Sequence, residues 1–143
     1  MDDFNDAIAF LKEHEREPGN RKKLRATSLA KLRREFPGIP EDYLDYMGLI
    51  GAGTFRECQY ATYAKLGWIA EHFDERWTDK FGKNILIFGH NFAGDNGCFV
   101  IDQNWAVADV WHDDSHIHLF KGTFGQYIRA KMLMGPDGKD QRE

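Results

Sequence analysis

Apolar residues recur at helical spacing over the first fifty positions. Phe4, Ile8 and Leu11 fall at i, i+4 and i+7, one face of a helix that Asp2 or Asp3 can cap. Pro18-Gly19-Asn20 breaks it. Leu24, Leu29, Leu32 and Phe36 predict a second amphipathic helix, starting at Thr27 or Ser28 and ending at Pro37-Gly38. Pro40 suits the first turn of a third, where its missing N–H is not needed. Tyr43, Tyr46, Met47 and Ile50 give that helix one apolar face, and Gly51-Ala52-Gly53 opens a loop after it.

Beyond residue 53 the period changes. Residues 54–60 alternate in part and read as a strand with Phe55 inward, whereas Leu66, Ile69, Ala70, Phe73 and Trp77 predict a fourth helix over 64–77. Residues 85–88 and 98–101 are short apolar runs, the mark of buried strands, with Gly94-Asp95-Asn96-Gly97 as hairpin-turn chemistry between them. Residues 106–111 and 115–120 add two more consecutive strands, the second with Ile117 and Leu119 toward the core and His116 and His118 on the wet face. Thr123-Phe124-Gly125-Gln126 is a capping box that opens a closing helix striped by Phe124, Tyr127, Ile128 and Met132. The expectation is a single α+β domain over 1–135, its N-terminal helices packed on an antiparallel meander sheet with a closing C-terminal helix, followed by a frayed polar tail over 136–143.

The 143 residues carry enough apolar and aromatic material for one self-sufficient core, being 42% hydrophobic and 14% aromatic. No run approaches the apolar length of a membrane span, and the acidic start lacks the layout of a signal peptide, so a cytoplasmic protein is expected. Cys58 and Cys98 are too few for a disulfide scaffold and read as core filling. The net charge of -4 conceals a polarity: residues 16–35 hold eight basic and two acidic side chains, while the flanking segments are acidic. That basic stretch lacks aromatic interleaving for stacking on bases, so it reads as a solvated helix face with no direct nucleic-acid binding.

Candidate chemistry is sparse. His112, His116 and His118 with Asp114 could hold a metal, but Asp113-Asp114-Ser115 is also turn chemistry and no metal-site spacing supports the cluster. His90 and Asp95, with Asp102 nearby, could be drawn as an acid–base pair, yet a solvated hairpin explains them equally. No phosphate loop is present, and no catalytic set emerges.

Three stretches in order carry a resemblance. Ile39-Pro40-Glu41-Asp42-Tyr43-Leu44-Asp45-Tyr46-Met47 followed by Gly51-Ala52-Gly53, the hairpin over 85–102, and residues 106–132 with Phe124, Tyr127 and Ile128 together resemble the SUKH superfamily. That family includes Smi/Knr-like yeast cell-wall regulators and bacterial immunity proteins of polymorphic toxins. The resemblance implies a non-enzymatic protein, without cofactor, metal or membrane contact, that neutralises a cognate toxin domain such as a nuclease by direct protein–protein contact, as a monomer or weak dimer. Acidic groups facing a basic cleft would speed such binding, and aromatic anchors would hold it. Asp95, Asp102, Trp105, Asp109, Trp111, Asp113 and Asp114 are the expected partner-binding residues, although tryptophans in the core and merely solubilising aspartates would fit the same pattern. Two alternatives stay open: a metal-dependent enzyme using His112, Asp114, His116 and His118, and a regulatory scaffold domain of the yeast type.

Overall fold

A computed structural model describes residues 1–17, 19–72, 83–113 and 116–142. Helix α1 (Asn5–His14) starts from Phe4, itself in the left-handed region at φ 52°. The two aspartates before it cap it from outside: Asp2 Oδ1 accepts the Phe4 N–H at 2.9 Å and Asp3 Oδ1 the Asn5 N–H at 3.0 Å. Its buried stripe is Phe4, Ala7, Phe10 and Leu11, while Ile8 remains 38% exposed. Helix α2 (Ala26–Glu35) starts earlier than the spacing suggested, and none of its residues is fully buried. Helix α3 (Glu41–Leu49) follows Pro40 and buries Tyr43, Leu44, Tyr46 and Met47.

Among the described residues seven strands form one antiparallel sheet in chain order: β1 (Arg21–Lys22), β2 (Ala52–Phe55), β3 (Tyr60–Trp68), β4 (Ile85–His90), β5 (Asn96–Val100), β6 (Ala106–Val110) and β7 (Ile117–Leu119). The expected meander and α+β class are therefore present. Three details differ. Residues 54–60 are not one strand, because Arg56, Glu57 and Cys58 all take positive φ and turn the chain between β2 and β3. Cys58 is consequently exposed rather than core. Residues 64–68 belong to β3, where Gly67 and Trp68 pair with Ile87 and Leu86; only α4 (Ile69–His72) is helical, and 73–77 lie outside the described residues. The helical spacing was misleading because Leu66 packs with the helix-side core and Ile69 with the cluster on the opposite sheet face.

Those two faces follow from strand alternation. Phe88, Phe99 and Val107 face the helices, whereas Ile87, Cys98 and Ala108, cross-strand neighbours, face the other way with Ile85, Val100 and Val110. The helix-side core is aromatic. Tyr43 meets Phe99 and Phe124 edge-on at 5.4 and 5.3 Å between ring centroids, and Phe88 meets Phe124 at 5.2 Å. Such geometry adds about 0.5–1.5 kcal/mol per pair beyond burial.

The closing helix α5 (Phe124–Lys131) has the capping box its sequence implied: Gln126 N–H donates to Thr123 Oγ1 at 3.1 Å and Thr123 N–H to Gln126 Oε1 at 2.9 Å. It brings Tyr127 over the sheet centre. There Tyr127 hydroxyl donates to Asp109 Oδ1 at 2.6 Å and receives from Tyr60 at 2.9 Å. Burial pushes both phenols well above the ordinary tyrosine range. The hydroxyls lie over Gly97, which is inside β5 rather than in the hairpin turn. A Cβ at Gly97 would collide with the Tyr60 hydroxyl and stand 2.5 Å from that of Tyr127. Gly89, its cross-strand neighbour, is equally closed by Tyr60 and the Ala61 carbonyl.

The tail is tied down rather than frayed. Asp140 grips Arg56, only 1% exposed, through two bonds of 2.9 and 2.7 Å, and Arg56 also donates to the Met132 carbonyl. The Arg56 hydrogen bonds hold the Asp140 carboxyl down to about 2. Arg142 adds a bond to Glu57 at 2.9 Å.

Gly97→Ala should therefore destabilise by about 3 kcal/mol, the upper end for an overfilled site. Removing both hydroxyls with Tyr60→Phe and Tyr127→Phe should recover part of that loss in a double-mutant cycle read by urea unfolding. Additive losses would mean that the hydroxyls do not define the site.

Candidate functional site: an acidic and aromatic end of the sheet

In an antiparallel meander alternate connections emerge at the same end. The β4–β5 turn and the β6–β7 connection therefore lie side by side, and a hydrogen-bonded pair joins them. Asp95 Oδ1 accepts the His112 backbone N–H at 3.0 Å and meets His112 Nδ1 at 2.9 Å. The Asp95 bond raises the imidazole above its ordinary 6.5. Partial burial pushes the Asp95 carboxyl up, but the ring and backbone bonds from His112 outweigh this and leave it below its ordinary value.

The β4–β5 turn is built by its own polar side chains. Asn91 Oδ1 accepts the N–H groups of Ala93 at 2.9 Å and Asp95 at 3.2 Å, the Asx geometry that replaces missing backbone partners. Phe92, at φ 66°, is 50% exposed, with its ring 4.4 Å from that of His90. Gly94, at φ 95°, passes close to the His112 ring, so a side chain there would meet it.

On the other connection Trp111 is 42% exposed yet fixed. Its ring stacks on His118 at 3.5 Å between centroids, 18° from parallel. His118 is held in turn by its register opposite Asp109. Asp113 is exposed beside them, and His116 is exposed on the far side of the connection. Leu119, expected in the core, is 53% exposed; Ile117 alone packs inward from β7.

The seven expected partner-binding residues thus divide. Asp95, Trp111 and Asp113 share this end. Asp102 lies at the opposite end, where Asn84 donates to its carboxylate at 2.9 Å and accepts its N–H at 2.8 Å. Trp105 is half-buried, packed on Phe36 and Phe99 at 6.3 and 5.5 Å. Asp109 faces the helices, accepting a hydrogen bond from the Tyr127 hydroxyl and lying 3.7 Å from Lys131 Nζ. Asp114 falls outside the described residues. Phe92 was missed from sequence, since a lone aromatic in a Gly- and Asn-rich turn carries no periodicity.

Of the expected His cluster, His112 turns to Asp95 and His118 lies flat on Trp111, while Asp114 lies outside the described residues. Among the described residues no group of three or more His, Cys, Asp or Glu side chains is placed to hold a metal ion. His90 is not paired with Asp95; its Nδ1 accepts the Phe92 N–H at 3.3 Å. Burial pushes the Cys98 thiol far up, in keeping with a core role.

Because the folded pKa of His112 is raised, the imidazolium–carboxylate attraction is complete below 6.5 and is lost as pH rises through the folded value. An NMR titration of Asp95→Asn should bring the His112 pKa back toward 6.5, and an unchanged titration would show that Asp95 does not set it.

No helix among the described residues is long and apolar enough to cross a membrane. Compared with protein-family models, curated proteins and solved structures, the chain matches none.

Proposed function

We propose that this chain is a binding protein of the immunity type, acting without chemistry of its own by covering a cognate toxin domain with the end of the sheet formed by residues 91–95 and 111–113. The observation that carries this reading is Trp111, which is both exposed and immobilised on His118. A large ring already fixed in the free protein loses little rotamer entropy on docking, and such aromatics dominate binding energy. Phe92 offers a second exposed ring on the adjoining turn.

Asp113 and the Asp95–His112 pair give this end its polarity. A nuclease presents a basic cleft to its substrate, and carboxylates beside an aromatic anchor would compete for it while steering the encounter. The resemblance of residues 39–53, 85–102 and 106–132 to the SUKH superfamily points to the same role. Partner contact at this end requires neither a cofactor nor a membrane.

The test is a titration against the isolated toxin-like domain encoded by the neighbouring reading frame. A stoichiometric complex of nanomolar affinity, insensitive to chelators, is expected. Trp111→Ala should speed dissociation by about tenfold or more. Asp113→Lys should slow association and flatten its salt dependence, leaving dissociation nearly unchanged. A complex whose kinetics ignore both substitutions would remove this end from the interface, and no complex with the neighbouring product would defeat the reading itself.

A further inference from the structure

A second surface lies along α2 and β3. The ladder of β3 is interrupted there: Thr62 pairs with Gly53 of β2 and Gly89 of β4, and the next pair is Gly67 with Ile87. Residues 63–66 thus stand opposite Phe88 alone, a bulge longer than the usual two residues against one, and β3 continues past the point where its pairing with β2 ends. Ala64 and Lys65 are exposed, and among the described residues neither has a partner in the strand register.

Helix α2 runs beside this stretch without sealing against it, as its lack of fully buried residues reflects. Between them is a cavity of about 480 Å³, floored by Leu32, Phe36 and Leu66. It shares Leu24, Ser28 and Ala64 with a neighbouring cavity of about 610 Å³ that continues toward β1. The two together make one groove with an apolar floor.

Its rim is cationic. Lys22, Lys23, Arg25, Lys31 and Lys65 line it against a single acid, Glu35, which lies 3.7 Å from Lys31. Two other basic residues of this stretch are already neutralised, Arg21 by Glu15 at 2.7 Å and Arg33 by Glu41 at 2.9 Å. Among the described residues Lys22, Lys23, Arg25 and Lys65 have no carboxylate within ion-pair distance.

We infer that this groove binds an extended acidic peptide segment of a partner protein, which adds as a strand along residues 64–66 of β3. Strand addition would occupy the backbone groups the bulge leaves outside the ladder, alternate apolar side chains would enter the floor, and the intervening carboxylates would meet the lysine rim. Nucleic acid fits less well. The floor is largely aliphatic, and both rings that line the groove already have aromatic neighbours, Phe36 edge-on with Trp68 and Trp105 at 6.2 and 6.3 Å and Tyr63 against His90 at 5.0 Å. This surface is independent of the toxin-binding reading, which concerns residues 91–95 and 111–113.

The test uses the full chain and a fluorescein-labelled decapeptide of alternating Glu and Val, followed by anisotropy and by amide NMR. Saturable binding in the range of tens of micromolar is expected, with the amides of Ala64, Lys65 and Leu66 shifted and protected from exchange. Lys22→Glu and Lys65→Glu, both surface changes, should each weaken binding about fivefold. Equal binding of the Lys-Val counterpart, tighter binding of an oligouridylate, absence of saturation below millimolar peptide, or binding that leaves residues 64–66 unperturbed would each overturn the proposal.

Discussion

Two buried tyrosine hydroxyls above the centre of the sheet set the terms for the rest of the molecule. Buried hydroxyls are costly unless hydrogen-bonded, and here Tyr60 and Tyr127 satisfy one another and end on the Asp109 carboxylate. The arrangement requires backbone without side chains beneath it, which Gly97 and Gly89 provide on adjacent strands. It also ties α5 to β3 and β6 at one point. Asp109 sits opposite His118 and two residues before Trp111, so the network that fixes Asp109 also fixes the strand pair on which the exposed Trp111–His118 stack rests.

Around that centre, polar clamps close the periphery. Arg129 of α5 pairs with Asp2 and Asp6, each at 2.8 Å, joining the chain's start to its closing helix. Arg56 and Asp140 join the β2–β3 turn to the tail. Of these only the Arg56–Asp140 pair is buried, so replacing one of its partners leaves an uncompensated charge in the interior.

Features written in contiguous residues were legible in the sequence. The capping box at Thr123, the helix after Pro40 and the apolar strands around Ile87 and Phe99 each carry their own local signal. What could not be read depended on which face a residue takes. Leu66 and Ile69 are three apart and mimic a helix, yet lie on opposite sides of the sheet. Gly97 looks like hairpin chemistry, and only tertiary packing of two tyrosines reveals why glycine is required inside the strand. The same limit governs the site. Trp105 and Trp111 are equivalent as letters, but one caps Phe99 and Phe36 while the other stands in the open. Asp109 and Asp113 likewise differ only in the pairing that turns Asp109 toward Tyr127. Arg56 gave no warning of burial, because its counter-ion is 84 residues away.

The central claim is that function resides in a preformed acidic and aromatic surface at one end of the sheet. Hydrogen exchange by mass spectrometry, on the free chain and on its complex with the partner domain proposed above, tests it most directly. Added protection should concentrate in peptides covering 91–95 and 111–113, with the α1 and tail regions unaffected. Protection confined to α1 and the tail, with those two connections exchanging as in the free protein, would contradict the account.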